Sequence, residues 1–387
     1  MTLAHRLNGT PAPERLGQGR SAAAVSRSPI CMPPLCAGVA WWNRRAVTAL
    51  LSVDGPAASP VFFRTVEDAL AAAPQEARIY AWASKAGDKE TAAARRAGID
   101  LIRIEDGFLR SVGLGAGLVP ACSFAVDRCG IYFDARQESD LEHLLATRDL
   151  SPEETARGYA LRRAILAAGL SKYNVEAGGD AAGIPWERGV ILVPGQVAGD
   201  ASLRFGLIPA DYGTGSDMNL ALLSAVRRRN PDAFILYKPH PDVEAGLRPG
   251  ALPEAAVLAH ADCILRGGDI AALLARCAGV ETLTSLTGFE ALLRGKRVTC
   301  HGAPFYAGWG LTEDLVAVPR RTRRRSIDEL VFIALALYCR SLDPATLKPC
   351  RPERLIEALS TLKRSPAHRA RMAVCRHASR LGRRLGL

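Results

Sequence analysis

Aromatic residues make up only 6% of this 387-residue chain, and no run of about 18 uncharged apolar residues occurs in it. The nearest candidate for a membrane span, Ile30 to Trp42, contains Pro33 and Pro34 and ends at Arg44-Arg45, which excludes a transmembrane helix there. A cleavable signal peptide is also unexpected, because Arg6, Glu14, Arg15 and Arg20 interrupt the first twenty residues without a compact apolar core. Ten cysteines are present, but none form Cys-x-x-Cys pairs or clusters with histidine at zinc-binding spacing. Cys122, Cys263, Cys277 and Cys300 fall in apolar segments and read as reduced, buried small hydrophobes of a cytoplasmic protein. Acidic residues are missing from Lys363 to Leu387, where eight Lys and Arg stand. The net charge of +11 is therefore only +3 outside that tail. Nucleic acid is not an expected partner.

What is there is ordinary soluble α/β composition, 48% hydrophobic, and long enough for two domains. Residues 1–40 are rich in Ala, Arg, Ser, Pro and Gly without periodicity, and we expect a disordered leader. A first Rossmann-like domain is expected over 41–183. In it, Ile79–Trp82 and Leu101–Ile104 read as strands flanking a helix from Lys89 to Ala97, and Ser123–Val126 with Gly130–Phe133 reads as a hairpin. Gly113-Leu-Gly-Ala-Gly117 has the wrong spacing for a dinucleotide fingerprint, and no helix is expected after it. A helical region near 152–170 leads to a glycine-rich linker, Glu176 to Gly183. From 184 to 345 strand-like runs alternate with helical ones, at Val190–Val193, Ala233–Tyr237, Asp262–Leu265, Gly279–Leu283 and Arg297–Cys300, and imply a second parallel sheet. The final segment, 346–387, reads as a helical basic tail.

Two loops at the carboxyl ends of those strands carry anion-binding groups. Tyr237-Lys-Pro-His-Pro-Asp242 offers Lys238 as a point charge and His240 as a neutral or cationic donor, and Ser285-Leu-Thr-Gly-Phe-Glu290 opens a helix whose first N–H groups are unpaired. Taken singly, the first is a turn with a surface histidine and the second an N-cap. Together, at strand ends in an α/β sheet, they read as a phosphate site. Pro194-Gly-Gln-Val-Ala-Gly-Asp200-Ala-Ser202 would aim Gln196, Asp200 and Ser202 into an interdomain cleft, unless Asp200 merely caps the next helix. Glu105, ending a strand of the other domain, could then face Asp200, and two carboxyls across a sugar suffice for glycosyl transfer with retention. The glycine- and aromatic-rich Gly302–Thr312 suits either a loop around a sugar or a hydrophobic cover. The five arginines of Arg320–Arg325 suit a solvated face or an electrostatic tether.

In order, Glu105-Asp-Gly-Phe-Leu-Arg-Ser, Gly130-Ile-Tyr-Phe-Asp134, Gly195-Gln-Val with Asp200-Ala-Ser, Tyr237-Lys-Pro-His-Pro-Asp242, Ser285-Leu-Thr-Gly-Phe-Glu-Ala-Leu and Pro304–Thr312 resemble the capsule polysaccharide biosynthesis family of retaining β-Kdo glycosyltransferases, over roughly residues 75–345. The resemblance implies two Rossmann-like domains facing a cleft, as in GT-B enzymes. It also implies CMP-Kdo as donor, with a phosphatidylglycerol-type lipid or a glycan as acceptor at the inner membrane face. Asp200 matches the nucleophile of that family and Glu105 lies in the acid/base block. Lys238, His240 and Pro241 match the His-Pro element on the CMP phosphate; Ser285, Thr287, Gly288 and Glu290 would complete nucleotide binding, with Glu290 on the ribose. Gln196 and Ser202 stand beside the nucleophile. No Asp-x-Asp motif exists, so no metal or other cofactor is expected, and leaving-group charge falls to His240, Lys238 and helix N–H groups. Family members often carry two transferase modules and this chain has one. The implied location is cytoplasmic, peripheral on an anionic inner membrane, with capsule assembly proteins as potential partners. The alternatives are a non-catalytic glycan- or nucleotide-binding module of capsule assembly or export, and an inverting transferase using another nucleotide sugar.

Overall fold

A computed structural model describes residues 32–52, 59–75, 77–174 and 181–384. Short apolar runs form the strands of two sheets. The first holds β1 (Leu35–Ala37), β2 (Val61–Phe63), β3 (Arg78–Trp82), β4 (Asp100–Asp106) and β5 (Ser123–Asp127). The second holds β6 (Ile191–Pro194), β7 (Ile235–Lys238), β8 (Cys263–Ile264), β9 (Gly279–Thr282), β10 (Arg297–Cys300) and β11 (Glu313–Asp314). Two late strands, β12 (Cys339–Leu342) and β13 (Pro349–Cys350), return to the first. Its order is β13-β12-β5-β4-β3-β1-β2, parallel from β2 to β4 and antiparallel thereafter. The second sheet, β11-β10-β9-β6-β7-β8, is parallel throughout. The central strands are buried on both faces, which is why β7 and β9 read as unbroken runs without alternation.

Several expectations are corrected. The first domain begins earlier than 41: Leu35–Ala37 is an inner strand, and of the expected leader only residues 1–31 lie outside the described residues. Gly130–Phe133 is a turn and not half of a hairpin. The Asp127 carboxylate accepts from the N–H groups of Cys129, Gly130 and Asp140, folding the chain back on itself, and a Cβ at Gly130 would lie 2.5 Å from the Glu138 carbonyl. A boundary at 345 is also overturned, since β12 pairs with β5 of the first sheet. The expected linker falls mostly on residues 175–180, outside the described residues.

The return to the first sheet follows a close helix crossing. Helix Ile327–Phe332 packs on helix Pro152–Ala167 at Gly158, where an added Cβ would be 2.0 Å from the Asp328 carbonyl oxygen. The arginine run is only partly a solvated face: Arg320 and Arg324 are exposed, but Arg321 and Arg325 are buried. Arg321 is buried and donates to Glu142 and to the carbonyls of Pro304 and Ala307, and Arg325 donates to Leu145, Arg148 and Glu329. Because Glu142 belongs to the first domain, these satisfied charges clamp the domains together. Phe108 stacks on Phe305 at 4.3 Å between ring centroids and adds an apolar contact between the domains.

The tail is helical at Pro352–Arg364 and Pro366–Arg384. The second helix lies on the glycine turn at 113–117: His368 bonds the Val112 carbonyl at 2.9 Å, Ser379 donates to Ala116 O at 2.6 Å, and Met372 fills the space beside Gly113.

Candidate functional site

The carboxyl ends of β6, β7 and β9 meet β4 across a cleft of about 670 Å³. In the second sheet the chain runs outward from β6 to β8 on one side and from β9 to β11 on the other, so the cleft opens where strand order reverses. Glu105, Gln196, Asp200, Ser202, Lys238, His240, Pro241, Ser285, Thr287 and Glu290 all line it. Gly288 does not: its missing Cβ makes room for Tyr306, whose hydroxyl would be 2.2 Å away.

Beyond β6, Asp200 caps helix Ala201–Phe205, its Oδ1 accepting from the backbone N–H of Ser202 at 3.1 Å and from the Ser202 hydroxyl at 3.2 Å. Its Oδ2 pairs with exposed Arg248 at 3.4 Å. Gln196 stitches two strand ends together: its side chain donates to Thr284 Oγ1 and accepts from Thr284 N–H, both at 3.0 Å. Asn219 holds the Gln196 backbone from both sides. Thr284 and Asn219 escaped the sequence reading, being polar residues in otherwise apolar runs whose partners are distant in the chain.

His240 caps the short helix Pro241–Glu244, its Nδ1 accepting from Asp242 N–H at 3.1 Å. That bond leaves the proton on Nε2, and burial pushes the imidazole pKa down to about 3. Of the two states the sequence left open, burial and the Nδ1 acceptor role favour the neutral donor. Lys238 is not a free point charge. It is buried and its ammonium meets Glu244 Oε2 at 2.7 Å; burial lowers its pKa, partly offset by that partner. Ser285 caps helix Leu286–Leu293 by accepting from Thr287 N–H at 3.2 Å. Glu290 is buried and spends one oxygen on the backbone N–H of Lys172 at 2.7 Å, which ties it to the first domain and competes with a role on a ribose. Of the Gly302–Thr312 run only Pro304 and Phe305 reach the cleft; Tyr306 and Trp309 are fully buried, so the run is a hydrophobic cover.

The facing wall comes from β4 and the segment after helix Pro152–Ala167. Glu105 accepts from the backbone N–H groups of Ser84 and Asp106 at 3.3 and 3.1 Å. Burial, then repulsion from Asp106, pushes its carboxyl up to about 8, with Asp200 adding to the repulsion. Asp106 is instead held by Arg110 at 2.6 Å. Tyr132, Lys172 and Tyr173 complete this wall. Tyr132 stands in one of the six ordered blocks but was given no role, and Lys172 and Tyr173 were missed because no motif or periodicity marks them.

Two α/β domains with a polar cleft at the sheet switch point define the GT-B glycosyltransferase architecture. The chain belongs to the capsule polysaccharide biosynthesis protein family, whose model matches residues 78–180 and 173–342. It is 40% identical over 328 residues to the capsule polysaccharide modification protein LipA of Neisseria meningitidis, covering 84% of this chain and 45% of that protein. It is 45% identical over 251 residues to the lipopolysaccharide-processing protein LpsZ of Rhizobium meliloti, covering 64% and 56%. The chain thus spans about half the length of the curated relatives it matches. Among solved structures, the β-Kdo 2,4 transferase of Thermosulfurimonas dismutans KpsC superposes with a TM-score of 0.70 at 31% identity, over 85% of this chain and 98% of that one. The β-Kdo 2,7 transferase of the same protein gives 0.66 at 31% identity, over 86% and 100%. Among the described residues, no helix is long and apolar enough to cross a membrane.

Proposed function

We propose that this chain is a glycosyltransferase that moves Kdo from CMP-Kdo to a lipid-linked or glycan acceptor with retention, without a metal or other cofactor. The observation that carries the reading is the placing of Asp200 and Glu105 on opposite walls of one cleft beside a neutral His240. Asp200 attacks the anomeric carbon and CMP leaves; the acceptor hydroxyl, giving its proton to Glu105, then displaces Asp200, and two inversions retain configuration. His240 Nε2–H and the N-terminus of helix Leu286–Leu293 receive the charge developing on the phosphate. A carboxyl with its pKa near 8 exchanges a proton at little cost near neutral pH. The test is incubation with CMP-Kdo and a lipid or glycan acceptor, with the product's anomeric configuration read by NMR. CMP release without a glycosylated product, or an inverted product, overturns the reading.

His240→Ala should weaken CMP binding and lower turnover by about 10²–10³-fold, because the lost donor serves both ground and transition states. His240→Asn restores a helix cap. If it also restores full CMP affinity, His240 is a cap and nothing more.

Attachment to an anionic leaflet through the basic C-terminal helix belongs to the same proposal, at a cytoplasmic membrane face. Arg371 on that helix and Arg364 at the end of the helix before it are exposed, and each basic residue near such a surface contributes about 1 kcal/mol. Reversing both to Glu should cut co-sedimentation with vesicles containing phosphatidylglycerol at least about tenfold, and salt should do the same to the unaltered chain. Binding indifferent to both removes the helix as the tether.

A further inference from the structure

Of the five lysine and arginine side chains that line the cleft, three are ion-paired. Lys238 pairs with Glu244, Arg110 with Asp106 and Arg248 with Asp200, and Lys85 stands exposed at the rim. Lys172 is different. It is half-buried and has no ion pair among the described residues, its ammonium lying instead 5.3 Å from the Tyr173 ring centroid.

Lys172 is also held more firmly than a loop lysine needs to be. Its backbone N–H donates to Glu290 Oε1 of the second domain, and its carbonyl accepts from Arg110 and Ser111 N–H of the first. On either side, Ser171 and Asn174 bond each other reciprocally, and the Asn174 amide donates to Ser111 O. The segment bridges both domains, and the Lys172 side chain lines the same cleft as Glu105 and His240, near enough to influence the charge of both. Burial works against its charge and the acids Asp106 and Glu105 of the same wall work for it, yet it is ion-paired with neither, which leaves a place for one small anion.

We propose that Lys172 is the subsite for the carboxylate of the donor sugar, making it the residue that selects nucleotide-linked sugar acids over neutral sugars. The assignment rests on the reading of the cleft as a CMP-Kdo site. In that reading, phosphate lies against His240 and helix Leu286–Leu293. Lys172 flanks the position between phosphate and Glu105, where the anomeric carbon of a 2-keto sugar acid carries its carboxylate. The anion is close to the reacting carbon, so losing its partner should be felt for the whole donor and not for the nucleotide.

Calorimetric binding of freshly prepared CMP-Kdo and of CMP, in an Asp200→Asn background that keeps the helix cap and leaves the donor intact, tests this with Lys172→Met and Lys172→Arg. The expected result is an affinity for CMP-Kdo lowered about 10- to 100-fold by Met, partly restored by Arg, with CMP affinity within about threefold of the parent. An equal loss for CMP places Lys172 on phosphate and overturns the assignment, as does unchanged CMP-Kdo binding. Transfer by the unaltered chain is scored separately: intact CMP-Kdo binding with no transfer sinks the enzyme reading and leaves the Lys172 site standing. Absence of CMP-Kdo binding in the parent sinks both.

Discussion

Replacing Asp200 with alanine is expected to abolish transfer, with a loss of about 10³-fold or more in turnover and CMP affinity within about threefold of the unaltered chain. The nucleophile acts on the sugar carbon and makes no contact with the nucleotide in the proposed mechanism. A complication is built into the fold, because Asp200 also caps helix Ala201–Phe205 through Ser202 N–H. Losing a cap costs about 1 kcal/mol and could disturb the loop by itself. Asp200→Asn separates the two roles, since asparagine caps as well as aspartate but does not attack carbon. Both variants should be inactive, and intact-protein mass spectrometry of the unaltered enzyme with donor alone should find a Kdo adduct on Asp200. An active Asp200→Asn enzyme would reduce Asp200 to its capping role.

Glu105→Gln should slow acceptor transfer by about 10²–10⁴-fold with little change in donor affinity, and should remove a limb of the pH profile. With its carboxyl pushed up to about 8 by burial and Asp106, the unaltered enzyme should gain rate as pH rises through that value, where Glu105 becomes the base for the acceptor hydroxyl. The variant should lack the rise. A second signature follows from linkage. A carboxyl whose folded pKa lies above its ordinary value of 4.5 holds more protons in the folded than in the unfolded state between the two values. Its contribution to stability is thus lost as pH climbs from about 4.5 to about 8, and is constant beyond. Glutamine does not ionise, so the melting temperature of Glu105→Gln should gain on that of the unaltered chain across this window. Identical pH profiles of rate would remove Glu105 from the chemistry. If Asp106→Asn produced the rate signature instead, the role would shift by one residue. The 2.6 Å pairing of Asp106 with Arg110 argues for a structural part there.

Much of the site was legible because its signals are local. A strand-like run, then a residue that caps, then a helical run was enough to place Asp200, His240 and Ser285 at loop tips, and each does cap a helix. The six ordered blocks identified the family, since they preserve residue types at loop ends whatever their partners. Two α/β units, the second with a parallel sheet, were likewise readable from the alternation of strand and helix. By contrast, Gly130–Phe133 has strand-like composition, and only the Asp127 carboxylate, collecting three N–H groups, makes it a turn.

Tertiary structure alone decided what those residues are chemically. Composition counts Lys238 and Arg321 as positive charges, but Glu244 and Glu142 neutralise them, and the arginine run became a clamp because buried guanidinium groups must find acceptors. No local pattern marks Lys172, yet it is a half-buried cation of the cleft with no ion pair among the described residues, and Glu290, a candidate for the ribose, is the acid that fixes its backbone. Nor does the sequence show that the chain comes back through β12 to finish the first sheet. Caps and strand ends depend on neighbours a few residues away. Protonation state, charge balance and the choice of facing groups depend on desolvation and on partners far along the chain, 118 residues apart for Lys172 and Glu290 and 179 for Arg321 and Glu142, and so exist only once the two domains are packed on one another.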